Sequence, residues 1–540
     1  MTGRTPAEAL DWLVSTTRAA AGETDDPATV REAFQEALAN LRVPPKDRAA
    51  WQDGLDVPGA AYETLLSGEA RRSAGQFFTP RWAATIMAEW LLASEPELVL
   101  DAGCGSGALL IALARSERRA RSHLLGVDTD PVALRMAEAN ARLRGMKRCD
   151  LVRADFLRDE LPAVPDAVIC NPPYSRHHAL SSEVKASLHE EFESRLGIRF
   201  NRNASLHVLF LVRALELSSP DARLAFITPS EWLDARYARE VRAFLTERAS
   251  VEATIALEGD HLLFPGVLTT ASITLIKKGE PPGVPTRIVQ MPRKLPAPDE
   301  VLAAIAGKAS SLKVREVRLD ESMKWSRPHI ARKPKGEPLS SIAWIRRGVA
   351  TGANKYFVLS ERERLDLGIP MSALKPCLAS PKLVAGIRVT RADLDALPVD
   401  ARRWLIDEKD PLAVERDDAL GAYLRYGRDE LRVHETYLAS QRRLWHAQEQ
   451  RAGCEIVLTY LNRPTPRFIR NEAGAVPLNN WIVIEPHAGV DVNELFAALQ
   501  EPVITKQLHE KRRVYGRGLW KVEPGELGEI RLPFKTRGNG

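Results

Sequence analysis

Cysteine is scarce: the 540 residues contain five, with no Cys-x-x-Cys pair. None stands at zinc-like spacing from a histidine, so neither a disulfide framework nor a structural metal is expected. An odd, scattered set of thiols suits a reducing cytoplasm. Aromatic residues make up 6% of the chain. Apolar runs are short as well. The stretch from Ala83 to Leu92 is broken by Glu89 and falls well below membrane-span length. The N-terminus lacks a basic segment followed by an apolar one, so no secretory signal is read there. A cytoplasmic protein without a membrane partner is expected. Charge of either sign is not dominant: the formal net charge is +5, which permits a nucleic-acid partner without requiring one. Internal repeats and low-complexity tracts are also missing.

What is present is length enough for two or three domains. Residues 1–70 alternate helical runs with breakers such as Asp25-Asp26-Pro27 and Val43-Pro44-Pro45. Ala7, Leu10, Leu13 and Val14, and then Ala33, Phe34, Ala37, Leu38 and Leu41, recur at helical spacing. This predicts a small helical arm. From Gln76 the pattern becomes strand, helix, strand. Strand-length apolar runs occur at Leu98–Leu100, Leu124–Val127, Leu151–Val152, Ala167–Ile169, Leu224–Ile227, Val251–Leu257 and Ala271–Ile276. Helical patterns at Ala108–Ala114, Pro131–Leu143, Ser205–Leu217 and Ala235–Glu247 separate most of them. Such alternation predicts an α/β fold, a doubly wound, mostly parallel seven-stranded sheet covered on both faces. No helix fits between Leu257 and Ala271, so the last strand is expected to run antiparallel. Proline clusters over 279–299, and 281–324 reads as a linker between a catalytic domain at 71–280 and a mixed α/β domain at 325–540.

A glycine turn, a pair of strand-end acids and a tetrapeptide carry the chemistry. In Asp101-Ala102-Gly103-Cys104-Gly105-Ser106-Gly107 a buried strand meets a glycine turn that opens a helix. Glycines let backbone approach a ligand closely; a bare strand-to-helix turn is the alternative. Asp128 ends the next strand, where an acid can grip ribose hydroxyls. Capping the helix that Pro131 starts is its other reading. Asp155 ends the third strand, placed to accept from an adenine amine while Phe156 packs on the ring. The tetrapeptide is Asn171-Pro172-Pro173-Tyr174, directly after the fourth strand. Two prolines stop the strand and stiffen the turn. The Asn171 side-chain oxygen and the Pro172 carbonyl can then accept from one primary amine. Adenine's amine is a poor nucleophile because its lone pair is delocalised into the ring. Two preorganised acceptors favour a pyramidal nitrogen, with neither metal nor covalent intermediate.

From about Gln76 to Lys278 these motifs, in this order, resemble the gamma-class, Taq-type adenine-N6 DNA methyltransferases of restriction–modification and defence systems. The resemblance implies S-adenosylmethionine as cofactor and a flipped adenine in duplex DNA as substrate. It implies that Gln76-Phe77-Phe78-Thr79-Pro80 serves the methionine end of the cofactor site, with Thr79 in contact. Asp101, Gly103, Gly105, Asp128, Asp155, Phe156 and Pro173 would complete that site. Asn171, Pro172 and Tyr174 would be catalytic, and Tyr174 and Phe264, in Phe264-Pro265, would stack on the target base. Past the proline-rich segment, Arg347-Gly348-Val349-Ala350-Thr351-Gly352-Ala353-Asn354-Lys355 resembles the start of a target-recognition domain. Double-stranded DNA and a separate restriction endonuclease are the implied partners.

Basic segments interleaved with aromatics fit a DNA partner, although a solvated face is an equal reading. They are Lys324-Trp325-Ser326-Arg327 and Lys511-Arg512-Arg513-Val514-Tyr515. His177-His178 lacks a third metal ligand. The rival readings are a methyltransferase of RNA or protein glutamine, a fused restriction enzyme, and a catalytically inactive DNA-binding subunit. The arm is too short for a nuclease, and the intact tetrapeptide argues against an inactive subunit.

Overall fold

The computed structural model describes residues 6–21, 27–40, 56–65, 79–118, 122–174, 182–201, 204–257, 270–279, 283–292, 294–326, 336–449, 454–462, 465–511, 513–514 and 520–532. It divides into two units, Met1–Ile330 and Ala331–Gly540.

The first unit begins with helices α1 (Pro6–Ala21), α2 (Pro27–Asn40) and α3 (Val57–Leu65). Next come α4 (Arg81–Leu92), β1 (Leu98–Ala102), α5 (Ala108–Arg115), β2 (His123–Asp128), α6 (Pro131–Leu143), β3 (Cys149–Arg153) and β4 (Ala167–Cys170). After β4 follow α7 (Ser182–Leu196), α8 (Leu206–Leu217), β5 (Arg223–Pro229), α9 (Arg239–Arg248), β6 (Ala249–Leu257) and β7 (Ala271–Lys278). β8 (Thr286–Gln290), α10 (Pro298–Ile305) and β9 (Lys313–Val317) complete it.

The strands form one sheet in the order β3-β2-β1-β4-β5-β7-β6-β8-β9. β7 runs antiparallel to both β5 and β6, as the short connection before it requires. Strand residues alternate between two cores, which explains their unbroken apolar runs. Leu100, Leu125, Val168 and Phe226 face a core shared with α7, α8 and α9. Val99, Leu124, Ala167 and Ile227 face α4, α5 and α10. The arm packs elsewhere: Leu13, Phe34, Leu38, Val57 and Tyr62 cover Val132, Met136 and Leu143 of α6.

Two expectations are corrected here. Among the described residues the sheet has nine strands, where seven were expected, because the segment expected to be a linker at 281–324 supplies β8, α10 and β9. β8 pairs parallel with β6, and β9 antiparallel with β8. Prolines there punctuate elements instead of forming a tether; Pro298, for example, occupies the first turn of α10. The boundary at 325 also shifts. Trp325 is fully buried, edge-on to Trp232 with ring centroids 5.8 Å apart. Its backbone N–H donates to Leu233 O at 3.0 Å, and the Ser326 hydroxyl donates to Asp234 at 2.6 Å. These residues therefore close the first unit.

The second unit is mixed α/β. A five-stranded sheet runs Ala343–Arg347, Trp481–Pro486, Ile456–Thr459, Phe468–Asn471, Arg388–Val389. One face packs on Leu495, Phe496, Ile504 and Leu508, and the other on Leu378, Val384 and Leu394. A four-stranded sheet orders Val358–Ser360, Arg402–Ile406, Leu374–Leu378, Val476–Pro477. Among the described residues no helix is long and apolar enough to cross a membrane.

Candidate active site

Strand order reverses at β1. From β1 the chain moves outward to β2 and β3, then returns to β4 on β1's other side. The loops after β1 and β4 therefore diverge at the carboxyl edge and leave a crevice, where open α/β sheets bind ligands. Register brings the motifs together, since Asp101 pairs with Ile169, two residues before Asn171. A cavity of about 220 Å³ opens there. Thr79, Gly103, Gly105, Asp128, Asp155, Phe156, Asn171, Pro172 and Pro173 all line it.

The glycine turn explains its own composition. Gly103, Gly105 and Gly107 adopt φ of 73°, 54° and 85°, a region that side chains with a Cβ rarely enter. At Gly107 a Cβ would also come within 3.3 Å of the Ala137 Cβ, so α5 and α6 approach closely there.

Asp128 faces the cavity and uses both oxygens. One accepts from the Gly105 N–H and the other from the Asp130 N–H, each at 2.8 Å. The helix-cap reading belongs instead to Asp130, which accepts from Val132 N at 2.9 Å. Burial raises the Asp128 carboxyl above its ordinary pKa, against the pull of these N–H donors. Asp155 accepts from Leu157 N at 3.0 Å. Phe156, 3% exposed, lies tilted against Phe210 with centroids 5.2 Å apart.

Asn171 donates through Nδ2 to the Thr79 hydroxyl at 2.9 Å. That contact sets the amide's orientation and makes Oδ1 its acceptor atom. The Tyr174 hydroxyl donates to the carbonyl of Ile227 at 3.3 Å, which ties the tetrapeptide to β5. Burial pushes the Tyr174 phenol well up, so it stays protonated.

Asp101 departs from the expected cofactor set. It is fully buried behind the turn and does not line the cavity. Burial first, and the Asp128 charge second, push its carboxyl well up. Phe264, Gln76 to Phe78, His177-His178 and Arg327 lie outside the described residues, as do the side chains of 511–519. Sequence reasoning missed Ser106, Asp130, Met136 and Phe210, which also line the cavity. Phe210 lies on a helix that is apolar nearly all round, so nothing in its pattern marks it.

Known proteins match both units. Residues 53–292 fit the family model described as N-6 DNA Methylase. Residues 317–539 fit that of the Type II methyltransferase M.Eco57I, C-terminal domain. The Type II methyltransferase M.AccI of Acinetobacter calcoaceticus is 26% identical over 480 residues, 87% of each chain. M.XamI of Xanthomonas campestris pv. amaranthicola is 28% identical over 481 residues, 86% of each. Among solved structures, the Type IIL restriction-modification enzyme MmeI in complex with DNA aligns with a TM-score of 0.50 at 11% identity. That alignment covers 86% of this chain and 68% of that one, a likeness of fold. With the motifs gathered on one crevice and both units matched, the chain belongs to the N-6 adenine DNA methylases, the S-adenosylmethionine-dependent enzymes of restriction–modification systems, with a C-terminal half of the M.Eco57I type.

Proposed function

We propose that this adenine-specific methyltransferase modifies one recognition sequence in double-stranded DNA, by extruding the adenine into the crevice beside Asn171. The observation that carries the reading is that Asn171 and Pro172 share a single cavity with the glycine turn and Asp128. When bound, S-adenosylmethionine supplies an electrophilic sulfonium methyl. The cavity's chemistry fits that cofactor. Asp128 offers acceptor lone pairs for ribose hydroxyls, Asp155 for an adenine amine, and Phe156 an apolar wall for its ring. Gly103 and Gly105 leave room for close approach.

The chain's own residues then act on the incoming amine. Asn171 Oδ1 and the Pro172 carbonyl accept hydrogen bonds from its two N–H groups and stabilise positive charge developing on nitrogen. Thr79 holds the Asn171 amide in the accepting orientation. Tyr174, fixed by Ile227, would pack against the extruded base with Phe264. Reading of base edges falls to the second unit, and a separate endonuclease recognising the same sequence is the natural companion of such an enzyme. The second unit's exposed aromatics, Trp344, Tyr426 and Tyr437, suit contact with DNA.

Genomic DNA from a host expressing the protein tests this. Sequencing that detects N6-methyladenine should find one short motif modified throughout the genome. Unmodified adenine, or modification without a motif, would overturn the reading.

A further inference from the structure

The arm does more than cover α6. Asp56, the residue before α3, accepts through Oδ2 from the Ser106 hydroxyl. Its Oδ1 accepts from Asn140 Nδ2 at 2.7 Å and from Gly59 N at 2.9 Å. Asn140 Nδ2 sends its second hydrogen to the Ser106 carbonyl at 2.8 Å. Arg144 then donates to Asn140 Oδ1 at 2.8 Å. Ser106 and Asn140 are 4% and 1% exposed and Asp56 is half-buried, so the network is largely shielded from water. It closes on the residue held between two left-handed glycines in the wall of the cavity.

A second strut runs parallel to it. Arg31 of α2 spans the Tyr62 hydroxyl at 3.0 Å and Asp130 Oδ1 at 2.7 Å. The Asp130 N–H donates to Asp128, which in turn accepts from Gly105. Two arm side chains thus reach the glycine turn by separate routes.

Covering α6 needs only the apolar residues already there. A buried carboxylate costs desolvation and is retained where its orientation matters. Burial does raise the Asp56 carboxyl, against the pull of Ser106, Asn140 and Gly59. A turn with three glycines has backbone freedom to lose when a ligand binds. Fixing it beforehand spares the ligand that ordering.

We propose that Asp56 is a positioning residue for the cofactor, acting through Ser106 and Asn140 to preset the glycine turn, so that the helical arm belongs to the cofactor site. The inference rests on reading the cavity as that site. Pre-setting acts on affinity, whereas the methyl-accepting chemistry at Asn171 is untouched.

Calorimetry with S-adenosylhomocysteine, paired with turnover at saturating S-adenosylmethionine, tests it. Asp56→Ala should weaken binding about tenfold, the effect of losing a buried hydrogen-bond partner, while kcat stays within about twofold. Asp56→Asn can still accept from Asn140 and Gly59 and can donate to Ser106 Oγ. It should therefore recover binding to within about threefold of wild type. Asn140→Ala, at a residue outside the cavity lining, should lose affinity as Asp56→Ala does, and it decides the matter alone should Asp56→Ala fail to fold. Wild-type affinity in the folded Ala variants overturns the proposal, as does a loss confined to kcat. An Asp56→Asn variant no better than Asp56→Ala overturns it too. Asp128→Ala separates this from failure of the site reading. If that variant also binds normally, the cavity is not the cofactor site.

Discussion

Asn171 and Thr79 touch through one hydrogen bond, and their variants should fail differently. Asn171→Ala removes an acceptor that acts mainly in the transition state, so kcat should fall a hundredfold or more, roughly the loss seen for a preorganised polar group. Cofactor affinity should persist. Thr79→Val keeps the shape and deletes only the hydroxyl that orients the amide, so kcat should drop about tenfold. Single-turnover kinetics beside calorimetry checks both; a Thr79→Val variant with full turnover would show the contact idle. Asp101 gives a prediction in pH. Its folded pKa lies above the ordinary 3.8, so the folded protein holds that proton more tightly than the unfolded chain does. Stability attached to Asp101 is therefore lost as pH climbs from the unfolded value towards the raised one. Asp101→Asn keeps the shape without the charge, and should melt roughly 2–4 °C above wild type at pH 8. The gap should narrow towards pH 4. Thermal unfolding across that range checks it, and a lower melting point at pH 8 would mean that the buried charge is in use. Much of the site was legible because glycine turns, strand-end acids and Asn-Pro-Pro-Tyr are local patterns. Asp56, Asn140 and Phe210 were not legible. Phe210 reaches the cavity, and Asp56 and Asn140 reach Ser106 in its wall, through tertiary packing alone; Asp101 lies behind the turn, because spacing does not tell which way a strand-end side chain faces.

Elements were readable where period and length agreed. All seven apolar runs became strands, because a sheet buried on both faces needs continuous apolar sequence. α7 was missed: Ser182–Leu196 is so rich in charge that its buried Leu188 and Phe192 do not stand out as a stripe. β8, α10 and β9 are hidden by flanking prolines, whose density reads as linker although Pro285, Pro292 and Pro296 lie between elements and Pro298 at a first turn. Glycines show the converse, a local residue choice explained by a distant neighbour. At Gly348 an added Cβ would lie 2.1 Å from the Leu478 carbonyl oxygen and 2.5 Å from that of Pro477. The approach is enforced by hydrogen bonds from Gly348 N to Trp481 O at 2.9 Å and from Val349 N to Pro477 O at 2.8 Å. Because the opposing atoms are backbone, no rotamer change relieves the clash. Gly348→Ala should destabilise the second unit by about 2–3 kcal/mol, the upper range for overpacking. Denaturant unfolding followed by tryptophan fluorescence should show the loss, while cofactor affinity stays unchanged. Wild-type stability would mean that the two segments can part freely.

For the molecule as a whole, the revised boundary changes where the chain can be cut. A cut near Gly283, suggested by the prolines, would remove β8, which pairs with β6. It would also remove Val301, Ala304 and Ile305, which fill the core beneath α4 and β6. Trp82 would lose the Pro296 carbonyl that its indole N–H donates to at 2.7 Å. A chain ending at Ser326 keeps all of these, and keeps Trp325 against Trp232. It should fold, bind S-adenosylhomocysteine with near wild-type affinity, and bind DNA weakly with steep salt dependence. The chain ending at Gly283 should be insoluble or melt much lower. Recognition follows the other unit: residues 337–540, joined to the catalytic half of a related methyltransferase, should carry the recognition sequence with them. Methylation mapped by sequencing the host genome decides it. A graft that keeps the recipient's motif would place specificity in the first unit, and so would a chain ending at Ser326 that still methylates the parental site.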